Sequence, residues 1–368
     1  MGKVKIAMIG VGAISGIYLD NITGLFKEVE LIGVCDKIRE RAERAKEKYS
    51  VPKLYETMYD AFADPEVEII LNLTRPYEHF EVTEAALKAG KHVYSEKPLG
   101  AAFEEGEALV KLAEEKSLML GGAPDTFLGA GIQTCRKLID DGYIGEPVGA
   151  ACFMICHGHE TWHPDPEFYY KFGGGPMLDM GPYYVTALVN LLGGVSGVTG
   201  TAKKSFDRRI ITSQPHYGET VDVDVNTYIT GMLHFNSGAV GTLFTTFDVF
   251  YDGQARFEVY GTKGTLFVPD PNAFGGPVML LRPEQGGRME IPLTFAYKDN
   301  SRGLGLADMA KALQTGRDFR ASYQQTLHVL EILTGFEKSS QTKAYYPLKT
   351  SYSRFAPMKN NPMDGILD

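Results

Sequence analysis

Three residues of this chain have the types and spacing to move a proton on a hydroxyl-bearing ligand: Lys97, Asp179 and Tyr183. Lys97 lies between Glu96 and Pro98, just beyond a short apolar run, and the proline fixes the chain at that point. Most lysines serve only as solvated surface. One at the carboxyl end of a parallel strand, however, stands where open α/β sheets bind their ligands. Asp179 and Tyr183 fall in the stretch Gly173-Gly174-Gly175-Pro176-Met177-Leu178-Asp179-Met180-Gly181-Pro182-Tyr183-Tyr184. A helix starting near Met177 sets them four apart on one face, able to converge on one small molecule. The competing role for Asp179 is an acid in the first turn of a helix, facing the positive end of its dipole.

A second group of residues suits a dinucleotide. Ile9-Gly10-Val11-Gly12-Ala13-Ile14-Ser15-Gly16 follows an apolar run and opens a helical stretch. Gly10 permits a tight turn, and Gly12 removes a side chain where the backbone must approach a pyrophosphate. Ala13 and Ile14 lead into the helix, whose first N–H groups and positive dipole end face that anion. Ser15 stands in place of the third glycine of G-x-G-x-x-G, a small intrusion into helix–strand packing. Asp36 closes the next apolar run and can accept hydrogen bonds from both hydroxyls of an adenosine ribose. It would repel a 2′-phosphate, which favours NAD over NADP, although Lys37 and Arg39 keep NADP open.

Alcohol oxidation by a nicotinamide needs a base for the hydroxyl proton while hydride leaves carbon. Free lysine and tyrosine titrate at about 10, too high for an efficient base at neutral pH. The positive nicotinamide and partial burial are expected to lower Lys97, and Lys97 in turn to lower Tyr183. Tyr183 is then the expected proton acceptor, Lys97 its electrostatic partner and hydroxyl orienter, and Asp179 a ligand for a substrate hydroxyl. Lys97 as the base itself is the nearly equal alternative.

Cys156-His157-Gly158-His159-Glu160-Thr161-Trp162-His163-Pro164 contains H-E-x-x-H, the zinc metalloprotease pattern. That pattern requires a helix to bring both imidazoles to one face. Gly158 before it and Pro164-Asp165-Pro166 after it leave barely one turn. The stretch reads instead as a loop facing the cofactor cleft. There His157, His159 and His163 can exchange hydrogen bonds with sugar hydroxyls, and Trp162 can stack on a pyranose ring. Phe168-Tyr169-Tyr170-Lys171-Phe172 extends that wall, with burial in the core as the competing fate of each ring. Asp125, where the chain leaves the last parallel strand and crosses the cleft, is a further substrate-contact candidate.

The elements that must position these groups change character near residue 124. Before it, strands at Val4–Ile9, Leu31–Cys35, Glu68–Leu73, His92–Ser95 and Leu118–Leu120 alternate with helices at Ile14–Leu25, Arg39–Tyr49, Glu78–Ala89 and Phe103–Ser117. That is the βαβ rhythm of a doubly wound parallel sheet. After it come a helix at 128–140 and a long strand at 148–156. Strands at 227–235, 239–247, 256–260 and 265–268 follow, joined by Asn236-Ser237-Gly238 and Thr262-Lys263-Gly264, the connectors of an antiparallel sheet. Helices at 304–315 and 324–339 and a strand at 346–348 end the chain. The expected architecture is α/β, with a nucleotide-binding domain over 1–124 and an α+β domain over 125–368 for substrate binding and oligomerisation.

Composition narrows the class. The chain has 368 residues, 37 basic against 46 acidic, giving a net charge of −9, and 44% are hydrophobic. This balance disfavours nucleic acid as a partner. No run approaches the ~20 apolar residues that span a bilayer, so no membrane partner is expected. The first residues read as a strand and not a signal peptide. Four cysteines without paired spacing suit a reducing cytoplasm. The open face of the second sheet leaves apolar residues that a homodimer or homotetramer would cover.

The glycine turn, Thr74-Arg75-Pro76 with His79, and Ala89-Gly90-Lys91-His92-Val93 leading to Glu96-Lys97-Pro98 form a specific set. Gly142–Pro147, Asp179-Met180-Gly181 and Tyr260-Gly261-Thr262-Lys263-Gly264-Thr265 extend it over nearly the whole chain. In these motifs the sequence resembles the Gfo/Idh/MocA family of NAD(P)-dependent oxidoreductases. The resemblance implies a Rossmann domain followed by an α+β domain with an open, mostly antiparallel sheet, through which the family commonly forms dimers or tetramers. It implies cofactor contacts at Thr74, Pro76, His79, Glu96 and Lys97, a lysine touching the reacting hydroxyl, and a cis peptide before Pro98. Where the family has Asp-x-x-x-His this chain has Asp179-x-x-x-Tyr183, as glucose–fructose oxidoreductase also does. The expected function is hydride transfer between NAD and a hydroxyl-bearing carbon of a sugar, glycoside or cyclitol. The alternatives are a non-catalytic sensor on the same fold and, last, metal-dependent hydrolysis.

Overall fold

The computed structural model describes residues 2–368 apart from 254, 255, 285 and 362. Its first half alternates β1 (Val4–Ile9), α1 (Ser15–Gly24), β2 (Val29–Cys35), α2 (Arg39–Tyr49), β3 (Lys53–Leu54), α3 (Met58–Ala63) and β4 (Ile69–Asn72). It continues with α4 (His79–Lys88), β5 (His92–Ser95), α5 (Phe103–Glu115) and β6 (Leu120–Gly122). The six strands form one parallel sheet in the order β3-β2-β1-β4-β5-β6. Such strands read as unbroken apolar runs because helices cover both faces. In β1, Val4, Ile6 and Met8 join one core cluster while Ala7 and Ile9 join another. The last strand begins two residues later than the expected Leu118. Ser117 takes a positive φ of 55°, and the N–H of Leu118 still closes the turn after α5 on Ala113.

The second half holds α6 (Ala130–Asp140), β7 (Pro147–Ile155), α7 (Gly175–Asp179), α8 (Gly181–Leu192), β8 (Val195–Lys203), β9 (Arg208–Ile210) and β10 (Thr220–Asp222). It continues with β11 (Tyr228–Phe235), β12 (Val240–Thr246), β13 (Arg256–Gly261), β14 (Gly264–Phe267), β15 (Val278–Leu281), β16 (Met289–Ile291), α9 (Leu304–Thr315), α10 (Tyr323–Thr342) and β17 (Tyr346–Pro347). Nine of these strands form a sheet in the order β16-β15-β14-β13-β7-β12-β11-β8-β17, with only β7 and β12 parallel. Gly231 and Gly200 face each other across β11 and β8, and a Cβ on either would collide with Phe336 of α10. The glycines are the notch that seats that helix. The opposite face carries a band of rings between cations. Arg256 lies over Phe153, Phe153 meets Phe244, Phe244 meets Tyr228, and Lys203 lies over Tyr228.

The continuous helix expected from Met177 is broken. Met180 caps α7 at one end and α8 at the other. Pro182 has no N–H to give to Leu178, so the helical ladder cannot run through. The end of the chain also returns to the first sheet. The N–H of Gly122 donates to the carbonyl of Ala321, and Leu330 of α10 packs in the same core cluster as Val93 and Leu109. Among the described residues no helix is long and apolar enough to cross a membrane.

Candidate active site

β5 delivers Glu96 and Lys97 to the carboxyl edge of the parallel sheet, and the Lys97–Pro98 peptide is cis. Glu96 supports this corner from below. One carboxylate oxygen accepts from the Tyr18 hydroxyl at 2.7 Å and the other from the Lys97 N–H at 2.9 Å. His79 supports it from the side, its ring nitrogens 2.7 Å from the Pro98 carbonyl and 3.1 Å from that of Thr74. With that ring buried, His79 braces the loop; Thr74 is tied in turn to Asn72 through its hydroxyl and N–H.

The break between α7 and α8 brings Asp179 and Tyr183 onto this corner from the second domain. Lys97 Nζ donates to Asp179 Oδ1 and to its backbone carbonyl, both at 2.7 Å. His159 Nε2 sits 3.3 Å from the other oxygen of Asp179. The Lys97 and Asp179 side chains are each 15% exposed, so the pair is largely dry. Tyr183 is 8% exposed, with Lys97 Nζ 5.3 Å and the Arg302 guanidinium 6.0 Å from its ring centre.

The charge states differ from those expected. Burial works against the Lys97 ammonium, but Asp179, helped by Tyr183 and Glu96, outweighs it and holds Lys97 above the ordinary lysine range. Burial likewise opposes the Asp179 carboxylate, and Lys97 with His159 overcomes it, leaving Asp179 well below the usual carboxylate range. Lys97 is therefore a firmly charged ammonium, not a lysine lowered toward neutrality. Tyr183 is raised, because burial exceeds the opposing pull of Lys97 and Arg302.

The loop after β7 and the end of β12 wrap His159 in rings: Trp162 at 5.3 Å and Tyr169 at 4.5 Å from the loop, and Phe247 at 4.6 Å just beyond β12. Trp162 itself is 61% exposed, and His163 packs against it, Phe168 and Tyr169 while accepting from the Asp165 N–H. His157 is not brought to Asp179 by these contacts; its ring stacks on Phe250 and meets Phe206 edge-on. The H-E-x-x-H stretch is a run of turns. Its Glu160 is buried and spent on Arg209 Nε, 2.7 Å away, and on the Tyr170 hydroxyl. Asp125 stands apart as well. It is 1% exposed and caps α9, accepting from the N–H groups of Gly303 and Gly305 at 2.8 and 3.0 Å. Burial pushes its carboxyl up to about 6, against those two bonds and Arg302.

Two arginines escaped sequence reasoning. Arg75 reaches from the first domain to Asp165 at 2.6 Å and lies over Phe168, which ties the ring-lined loop across the cleft. Its place in Thr74-Arg75-Pro76 was a usable signal. Arg302 had none, because only the fold brings the loop before α9 beside Tyr183.

The turn after β1 fits a dinucleotide. Gly10 has φ +94°, and a Cβ there would stand 2.7 Å from the Leu73 carbonyl group. Gly12 differs: its missing Cβ faces no protein atom within 4 Å, open room at the start of α1 beside Ala13 and Ile14. Ser15, in the third glycine position, is buried and turns its hydroxyl back to the Gly12 carbonyl at 2.8 Å. Asp36 accepts from the Val11 N–H at 2.6 Å and the Ile38 N–H at 2.7 Å, which fixes the carboxylate beside the turn. Pro76 begins a short 3₁₀ turn next to Thr74.

The same division appears in comparisons with known proteins. Residues 4–122 match the description "Oxidoreductase family, NAD-binding Rossmann fold", and residues 132–267 match the Gfo/Idh/MocA C-terminal domain. The chain is 26% identical over 300 residues to a myo-inositol 2-dehydrogenase of Thermotoga maritima, covering 81% of this chain and 84% of that protein. It is 26% identical over 268 residues to a scyllo-inositol 2-dehydrogenase (NAD(+)) of Bacillus subtilis, covering 72% and 74%. A solved levoglucosan dehydrogenase in complex with NADH shares the fold, with a TM-score of 0.82 at 18% identity over 95% of this chain and 100% of that one. The two matched stretches take in both halves of the site, and the chain belongs to the Gfo/Idh/MocA family of oxidoreductases.

Proposed function

We propose that this protein transfers a hydride between NAD and a secondary alcohol carbon of a cyclitol, sugar or glycoside. The observation that carries the reading is the Lys97–Asp179–His159 chain, closed below by Tyr183, at the carboxyl edge of a dinucleotide-binding sheet. NAD, when bound, supplies the hydride acceptor. Asp179 holds Lys97 charged and in place, and the Lys97 ammonium then orients the substrate hydroxyl. Tyr183, once ionised to the phenolate, takes the hydroxyl proton as the alcohol becomes a carbonyl. Lys97 is less suited to that step, because its charge is stabilised by Asp179. His159 and His163 offer polar contacts to neighbouring hydroxyls, and the exposed Trp162 offers a face for the ring. The inositol dehydrogenases among the relatives point to the same substrate class.

NAD is proposed over NADP because Asp36 is fixed beside the turn, while the nearby cations are already paired. Lys37 is bound to Glu78, and Arg39 to Glu43 and Glu56. We also propose that residues 1–124 bind the nucleotide and 125–368 the substrate, and that copies associate as a dimer or tetramer through the ring-lined sheet face. The decisive experiment is a screen of inositols, free sugars and glycosides with NAD and NADP, followed by nicotinamide absorbance. NAD reduction by at least one polyol is expected. Binding without reduction across the screen would establish the sensor reading instead. Asp36→Ala should lower the preference for NAD over NADP at least about tenfold, the worth of ~1.4 kcal/mol.

A further inference from the structure

Arg302 carries an unusual amount of unanswered charge for its place. It makes no ion pair among the described residues; its guanidinium donates to neutral acceptors, Asn300 Oδ1 at 2.8 Å and Asn272 Oδ1 and carbonyl at 2.6 and 3.2 Å. Its backbone is held as firmly. Asn21 of α1 donates to the carbonyls of Asn300 and Arg302, and Gly303, at φ 98°, donates to Asp125. The result is a cation clamped 6.0 Å from the ring centre of Tyr183. The other cation on that ring, Lys97, is already neutralised by Asp179.

A half-buried cation without an ion-paired partner is costly, and it favours any neighbouring group that can turn negative. Around Tyr183 the charged and titratable groups are Lys97, Glu96, Arg302 and Tyr169, and around Arg302 they are Tyr183, Asp125 and Tyr18. Asp125 directs one oxygen to two backbone amides of the α9 cap. Among the groups facing Arg302, Tyr183 is the one whose phenolate the proposed reaction would call on.

We propose that Arg302 is a positioning residue that supplies the charge under which Tyr183 ionises. It rests on the reading of Tyr183 as proton acceptor. When Tyr183 gives up its proton, the phenolate faces a guanidinium that makes no ion pair among the described residues, Asp125 directing its hydrogen bonds to the α9 cap; when it regains the proton, the ring returns to a neutral contact.

The test begins without substrate. Ultraviolet difference titration of the intact protein, taken as wild type minus Tyr183→Phe, isolates the ionisation of this one tyrosine. The same difference taken in the Arg302→Gln background should show a midpoint higher by at least about one pH unit, the size of effect a neighbouring charge exerts. Arg302→Lys should restore part of the shift. Asn272→Leu removes the shorter of the two bonds that hold one guanidinium nitrogen, leaving the backbone carbonyl and the charge on the chain, and should move the midpoint the same way. This second variant decides the matter if Arg302→Gln fails to fold. A midpoint unchanged in Arg302→Gln, or in Asn272→Leu where that variant decides, overturns the proposal. With any polyol the protein oxidises, the acidic limb of kcat should move up with the midpoint while NAD affinity is kept. A wild type that reduces NAD with no polyol defeats the proton-acceptor reading, and the titration still judges Arg302 by itself.

Discussion

At the scale of single residues, the site works by unequal charge assignment. Lys97 and Asp179 hold one another ionised in a largely dry corner, so neither is free to exchange a proton at neutral pH. In the proposed reaction Tyr183 would therefore carry the proton and Lys97 polarise the hydroxyl. Lys97→Ala and Tyr183→Phe should each lower kcat by about 10²–10⁴-fold, the usual worth of a positioned acid–base group, with NAD affinity by fluorescence titration largely kept. Asp179→Asn tests the pair through stability. Because Asp179 is held below its unfolded value, its contribution is complete above about pH 4 and is lost as pH falls through the folded value. The melting-temperature deficit of Asp179→Asn should therefore be large at pH 7 and narrow below about pH 4. A deficit that stays constant through that range would count against the ion pair. Lys97 and Asp179 were legible in the sequence as candidates; their charge states were not, because those depend on which partner each one meets.

At the scale of elements, two glycines in one turn do different work. Gly10 is required by the chain itself, since its positive φ and its approach to Leu73 exclude a side chain. Gly12 meets nothing in the protein. Gly10→Ala should thus lower stability of the free protein by at least about 1–2 kcal/mol, the cost of a left-handed non-glycine residue alone. Gly12→Ala should leave its melting temperature unchanged while weakening NAD binding tenfold or more in calorimetry. Equal effects of the two on stability would refute this division. The break at Met180 is a second element-scale feature. Asp-x-x-x-Tyr spacing predicted a shared helix face, whereas the two side chains converge because the helix stops between them and the second segment starts afresh at Gly181.

At the scale of the whole molecule, the C-terminal helices join what the boundary near residue 124 separates. α10 seats Phe336 in the glycine notch of the second sheet and Leu330 in the core of the first, so the cleft between them is braced from behind. The face of the second sheet away from α10 remains lined by Phe153, Phe244 and Tyr228, with Met232 and Val240 exposed beside them. A patch of this kind on a free surface favours association. Phe244→Asp should shift the protein to a smaller species in size-exclusion chromatography with light scattering. An unchanged mass would place any interface elsewhere.

Five of the six strands in the parallel half were legible in the sequence because they are buried apolar runs and the turns carry glycines at fixed spacing; the two-residue, half-exposed β3 and the short α3 after it were not. The nine-residue strand β8 was not, since Gly197 and Gly200 erase the apolar alternation that marks a strand; that strand is specified by its neighbours β11 and β17. In the same way, local sequence determined the nucleotide turn, the Glu96-Lys97-Pro98 corner and the ring-rich loop as separate pieces. Only the tertiary structure decided that His159 joins Asp179 while His157 stacks on Phe250, that Asp125 caps a helix, and that Arg302 lies against Tyr183. Spacing along a chain governs contacts within a turn or a helix. Charge pairing across more than a hundred residues depends on packing, which brings together groups that no local pattern relates.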